Sequence, residues 1–253
     1  AANGYRTAYY YGGDLDFTNL RAYLRATGYA RLVGDTDFPV GERLSKWGVH
    51  DGPVFDRALS DISNRKDKSP TLTVIQTSSS HEPFDVPFGR FAHDKRLNAF
   101  SYADDCLGRF VRGLRASAAW ERALVVIVPD HWGAWPQGLE DRMRRHHIPL
   151  VMTGGALAGT PVIVDKIGSQ SGIAPTILAL MGIRDALPFG RDLLDTRTAG
   201  FGYVSEPSWF GLVTDRGLSA VSTDTGATLE GDSADVRAAK ALVQSIYTDL
   251  SKR

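Results

Sequence analysis

Thr71-Leu72-Thr73-Val74-Ile75-Gln76 and, further along, Leu124-Val125-Val126-Ile127-Val128 are two short runs rich in β-branched residues. Apolar runs of this kind fit strands covered on both faces, so both are expected as central strands. Between them Leu97, Phe100, Ala103, Leu107, Phe110, Val111 and Leu114 recur at three-and-four spacing, which predicts a long amphipathic helix. Strand, helix and strand in that order predict a right-handed parallel crossover. The class that follows is α/β, with a doubly wound, mostly parallel sheet.

Outward from this unit the same grammar continues. Tyr5 to Tyr11 reads as a strand ended by Gly12-Gly13-Asp14, and Phe17 to Thr27 as a helix with Leu20, Tyr23 and Leu24 on one face and Gly28 as its C-cap. Asn64 to Pro70 reads as a short charged linker. Further strands are expected at Ile148 to Thr153 and Val162 to Val164, then a helix from Pro175 to Met181 closed by Gly182. After Asp195 short alternating runs around Tyr203, Phe210 to Thr214 and Leu218 to Val221, with turns at Asp215-Arg216-Gly217 and Asp224-Thr225-Gly226, predict a small antiparallel sheet. A terminal helix follows, with Ser233 as its N-cap and Val236, Ala239, Val243, Ile246, Tyr247 and Leu250 on one face. The domain reading is therefore a core over 1–195 and a C-terminal subdomain over 196–253 packed on it.

Basic and acidic residues number 29 each in 253, so net charge points to no nucleic-acid partner. No run approaches the roughly 20 apolar residues of a membrane-spanning helix. The one cysteine, Cys106, excludes an intramolecular disulfide and reads as core filling.

Three stretches could carry chemistry. Val128-Pro129-Asp130-His131-Trp132-Gly133 puts a carboxylate and an imidazole at the end of a buried strand, where ligands gather in open α/β sheets. Together they offer oxygen and nitrogen to a divalent cation, although by itself the dipeptide is explained more readily by capping or turn duty. Thr77 to Phe84 follows the other strand and contains His81, which could hold a phosphoryl oxygen, protonate a leaving alkoxide, or simply bond to backbone. Arg145-His146-His147-Ile148-Pro149-Leu150 precedes a strand, which by pattern alone favours the opposite sheet edge.

In order and spacing, Thr77 to Phe84, Tyr102-Ala103-Asp104, Asp130-His131, His147 to Leu150 and Ala174-Pro175-Thr176-Ile177-Leu178 resemble lipoteichoic acid synthase-like proteins of the alkaline phosphatase and sulfatase superfamily. Gly4-Tyr5-Arg6-Thr7, Tyr11 to Asp14, Phe17, Asn19, Gly28-Tyr29, Trp47-Gly48-Val49 and Asp51 fit too, so the likeness spans roughly residues 4 to 195. It implies an alkaline phosphatase-like fold and transfer of phosphoglycerol, or a related phosphoryl group, through a phosphothreonine at a divalent metal. Manganese is the metal expected, with zinc or magnesium as alternatives. Carried over by position, Asp130, His131 and His147 become metal ligands. His81 becomes the catalytic histidine at the substrate phosphate, and Asp14 and Asn19 become substrate-binding residues; Trp132, which the family's motif lacks, is expected to join them as an aromatic wall.

The resemblance also implies what lies elsewhere. The nucleophilic threonine and an early acidic ligand are expected upstream of Ala1, so no residue of this chain is the nucleophile and the chain alone is expected to be inactive. It would need the missing N-terminal part of the catalytic domain, with a membrane reached through that upstream segment. Its substrate would be a phospholipid or glycan head group, at the periplasmic or extracellular face of a bacterial inner membrane. Three departures stand out: Thr18 and Leu20 where an aromatic and an arginine flank the asparagine, Gly172 where an acidic residue is usual, and Trp132 between the histidine and glycine of the metal motif. The alternatives are a sulfatase or phosphonate-ester hydrolase on the same fold, whose nucleophile Cys106 cannot be, and a non-catalytic head-group-binding module.

Overall fold

The computed structural model describes residues 3–67, 69–133, 135–157, 159–183 and 187–252. They form two compact units, 1–127 with 151–158, and 128–150 with 159–253. The boundary read at Asp195 falls inside the second unit.

In the first unit strand β1 (Arg6–Tyr11) lies between β2 (Arg31–Val33) and β3 (Thr71–Gln76), all parallel. Helix α1 (Leu20–Ala26) and helix α2 (Asp51–Ser63) connect them. Strand β3 begins and ends where the sequence predicts, yet it is the end strand of the three, and Leu72 is 45% exposed. A β-branched run reports that a segment suits a pleated surface; it does not say how many neighbours the segment has.

Helix α3 (Lys95–Arg115) follows, started by Asp94, whose carboxylate accepts from the Leu97 amide at 2.9 Å, and closed by Arg112 and Arg115 near its negative end. Its buried stripe is Ala99, Tyr102, Cys106, Phe110 and Leu114, while Leu107 and Val111 are half-buried flanks. The stripe thus runs through Tyr102 and Cys106, which the expected face omitted. Those side chains pack with Val54, Phe55 and Ala58 of α2 and with Tyr10 of β1. Cys106 fills the core as expected.

Among the described residues the expected parallel crossover is not formed. Strand β4 (Val125–Ile127) pairs antiparallel with β5 (Val151–Thr153) rather than with β3. The strand predicted from Ile148 starts only at Val151, since Pro149 lacks the N–H a ladder needs. Linker 64–70 connects α2 to β3, and its Lys68 lies outside the described residues.

In the second unit, short helix α4 (Arg142–Arg145) precedes helix α5 (Ile173–Leu180), then strands β6 (Gly202–Glu206), β7 (Trp209–Thr214), β8 (Gly217–Ser222) and β9 (Thr228–Glu230) form an antiparallel meander. Both expected turns are present, with Gly217 and Gly226 at φ 99° and 68°, where a side chain would be strained. Helix α6 (Ser233–Leu250) packs on β7 and β8. Its N-cap is Asp232 rather than Ser233: one carboxylate oxygen accepts from the amides of Ala234 and Asp235 at 2.8 and 3.2 Å. Val236 and Ala239 are buried and Val243 and Ile246 half-buried, whereas Tyr247 and Leu250 stand in solvent, so the apolar face docks ever less toward its end. Val162 to Val164 forms no strand; Val162 and Ile163 are 79% and 88% exposed, behind Pro161. Among the described residues no helix is long and apolar enough to cross a membrane.

Candidate active site

In the first unit the chain leaves β3 and turns at once. The turn is braced from beneath by Asp51, the first residue of α2, which is 2% exposed. One of its carboxylate oxygens accepts from the Ser78 and Ser79 amides at 2.8 and 3.1 Å, and the Asp51 amide donates to Ser79 Oγ at 2.9 Å. Burial outweighs these bonds and holds the carboxyl above its ordinary pKa, while burial pushes neighbouring His50 below its own.

On this base His81 reaches solvent. Its amide donates to Ser78 O at 3.0 Å, and its Nδ1 lies 3.1 Å from Glu82 O. A carbonyl only accepts, so Nδ1 carries a hydrogen, and Nε2 is the ring nitrogen left for another partner. Glu82 O also accepts from Trp47 Nε1 at 2.6 Å, and the Trp47 and His81 rings meet edge-on with centroids 4.6 Å apart. Phe17 continues the ledge, 6.1 Å from Trp47. Through it, the turn bearing Asp14 and Asn19 reaches the His81 loop. Asp14 there accepts from the Asp16 amide at 2.8 Å, and Asn19 is the N-cap position of α1 without a side-chain capping bond. Thr18 and Asn19 are consecutive non-glycine residues in the left-handed region, at φ 52° and 61°. Such strain concentrates at ligand sites. Trp47 and Phe17 were not singled out from the sequence as site residues; the available signal was that Trp47-Gly48 forms a landmark with Asp51.

The second unit carries Asp130, His131 and His147. Asp130 and His131 project into solvent, with side chains 87% and 74% exposed. The His131 amide donates to Asp130 Oδ1 at 2.9 Å, and His131 Nε2 stands 3.5 Å from Asp130 Oδ2. His131 Nδ1 faces Trp132 O at 2.8 Å, which fixes the hydrogen on Nδ1 and leaves Nε2 as the donor atom for a ligand. Trp132 is pinned by its own indole N–H on Trp135 O at 2.7 Å and lies under the Arg145 guanidinium, 5.5 Å from the ring centre.

Of the adjacent histidines, His146 is the one tied down. Its ring nitrogens face Arg142 O at 2.8 Å and Glu206 Oε1 at 3.1 Å, and its ring meets Trp209 at 5.5 Å. Arg142 pairs with Glu230 at 2.7 Å, so α4 is fastened to the antiparallel sheet and His147 stays exposed beside it. Asp130 and His131 suit a hard or borderline divalent cation by donor type, one oxygen and one nitrogen. They fall short in number, and among the described residues no three His, Cys, Asp or Glu side chains gather to hold one.

These features were compared with known proteins. The family model described as Sulfatase matches residues 1–183. Phosphoglycerol transferase I of Xanthomonas campestris pv. campestris is 27% identical over 214 residues, covering 76% of this chain and 29% of that protein. A lipoteichoic acid synthase-like protein of Bacillus subtilis is 21% identical over 222 residues, covering 75% and 35%. The chain thus spans about a third of the length of these curated relatives. Among solved structures, an alkaline phosphatase superfamily protein from Vibrio parahaemolyticus superposes with a TM-score of 0.83 at 23% identity, covering 98% of this chain and 67% of the other. The lipoteichoic acid synthase LtaP from Listeria monocytogenes gives 0.78 at 22%, covering 99% and 70%. The fold is alkaline phosphatase-like, and the chain belongs to the sulfatase family.

Proposed function

We propose that this chain is the C-terminal part of a divalent-metal-dependent phosphoglycerol transferase, or a related phosphodiesterase, acting on a phospholipid or glycan head group. In this reading Asp130 and His131 are metal ligands, with manganese favoured over zinc or magnesium; His147, the third ligand expected from the sequence, does not gather with them among the described residues. The cation, when bound, neutralises non-bridging phosphoryl oxygens and acidifies the attacking hydroxyl. His81 presents Nε2 to a phosphoryl oxygen or a leaving alkoxide, since its other nitrogen is spent on Glu82 O. Asp14 and Asn19 offer polar groups to the head group beside the Phe17–Trp47 ledge, and Trp132 adds an aromatic wall.

The nucleophilic threonine and the remaining ligands belong, in this reading, to a part of the protein outside these 253 residues, so the chain alone does not turn over. The parent works at the periplasmic or extracellular face of a bacterial inner membrane, anchored by a segment outside this chain. One observation carries the proposal: a carboxylate and an imidazole, Asp130 and His131, stand side by side with Oδ2 and Nε2 3.5 Å apart on a turn open to solvent. Calorimetric titration with Mn²⁺ tests it. Wild type should bind and Asp130→Ala should lose at least about tenfold in affinity; equal affinities would sink the metal assignment.

A further inference from the structure

The turn that carries Asp130 and His131 is held by a residue to which the proposed function gives no role. Gln170 Nε2 lies 3.0 Å from Pro129 O and 2.8 Å from Asp130 O. The orientation of the amide is dictated: with its oxygen in that place, three acceptors would face one another. Both amide hydrogens are therefore spent on two consecutive backbone carbonyls, those on either side of the Asp130 Cα.

A clamp of this kind fixes two peptide planes at once. The Pro129 carbonyl sets the plane entering Asp130, and the Asp130 carbonyl sets the plane leaving it toward His131. With both fixed, the backbone angles of Asp130 are fixed, which sets the direction in which its carboxylate leaves the chain and anchors the His131 amide and Cα from which the imidazole departs. Nothing else described does this, since the other bonds at the turn are local: the His131 amide to Asp130 Oδ1, and His131 Nδ1 to Trp132 O.

The base of the clamp is rigid. Gln170 opens the 3₁₀ turn Gln170–Gly172 that runs directly into α5. Its neighbour Ser169 accepts at Oγ from the Tyr203 amide of β6 at 2.5 Å. Buried Thr176 donates to Gly172 O at 2.7 Å and accepts from the Leu193 amide at 2.8 Å. The chain crosses here too closely for side chains: a Cβ on Gly172 would stand 2.6 Å from Leu193 Cδ2 and 2.7 Å from Arg191 O. That crowding is also the physical reason position 172 holds no acidic residue, and it leaves Gln170 as the polar side chain of the turn that reaches the Asp130 loop.

We infer that Gln170 is a positioning residue for the metal-ligand turn, orienting Asp130 and His131 through their backbone. The inference rests on the proposed metal role for its ligand-binding consequence, but the positioning itself is measurable without metal. The variants are Gln170→Leu, which removes the donor, and Gln170→Glu, which keeps the shape and turns acceptor atoms on the two carbonyls. Without metal, amide hydrogen exchange at His131 followed by NMR should quicken about tenfold in both, while exchange within α5 stays unchanged. With Mn²⁺, affinity should fall about 10- to 100-fold in both. Unchanged exchange at His131 in the two variants would overturn the inference whatever the metal data say. Quickened exchange together with no Mn²⁺ binding by wild type would keep the clamp and reject the metal assignment instead. Faster exchange spread through α5 would reduce Gln170 to an ordinary structural tie and likewise overturn the inference.

Discussion

The His81 turn and the Asp130–His131 turn contain the same local device and opposite supports. In each, an imidazole sets its Nδ1 against the carbonyl of the next residue. The His81 turn rests on a carboxylate sealed under it, one oxygen of which accepts from two amides, while the Asp51 amide donates to the Ser79 hydroxyl. The Asp130 turn hangs from an exposed glutamine amide that touches only carbonyl oxygens. The difference teaches where the cost of failure falls. Removing a buried brace leaves desolvated N–H groups and threatens the unit, whereas removing an exposed one lets water replace it and loosens the turn alone.

The largest effect should therefore come from Asp51→Ala, which strands two buried amides and should cost about 3 kcal/mol in urea unfolding. Gln170→Leu should cost no more than about 0.5 kcal/mol globally. Comparable losses from the two would break the contrast.

Charge sharpens it further. The Asp51 pKa is raised by burial, so the folded state holds a proton that the unfolded chain has released. Stability should then fall as pH rises from about 4 through the raised value, and Asp51→Asn should flatten that decline. In the other unit Asp235 is lowered by its bonds with Arg216 and Thr214. Its contribution is complete above the ordinary carboxylate pKa and is lost as pH falls through the depressed one. Asp235→Asn should flatten an acid limb instead, and unfolding midpoints across pH 3 to 8 separate the two. A common direction in both variants would refute the opposed assignments.

An effect well below that of Asp51→Ala concerns the ledge beside His81. Thr18 is β-branched and held at φ 52°, so Thr18→Gly should stabilise by about 0.5 to 1 kcal/mol in the same assay. A loss would mean the Thr18 side chain contributes more than its backbone strain takes away.

Much of the fold was legible because it rests on local composition. The run at Thr71 and the meander after Asp195 fold where their patterns say. Partner choice was not legible: β4 offers its edge to antiparallel β5, and nothing in Val-Val-Ile encodes that direction. Helix α2 escaped notice because Gly52 and Pro53 sit in its first turn and its buried face is short, Val54, Phe55 and Ala58. The candidate site residues were visible as residue types at strand ends. Their supports were not, because Asp51 meets Ser78 across 27 positions and Gln170 meets Asp130 across 40. Pairings of that separation have no periodic trace in a sequence.

The extended stretch at Val162 has a consequence for anyone handling the protein. Three successive uncharged β-branched side chains on a solvated backbone have the composition from which cross-β stacking between molecules begins. Pro161 on one side and Asp165-Lys166 on the other act as gatekeepers against it, the first by withholding a donor and the second by charge repulsion in register. Aggregation on concentration should therefore respond to substitutions within this strip of six residues.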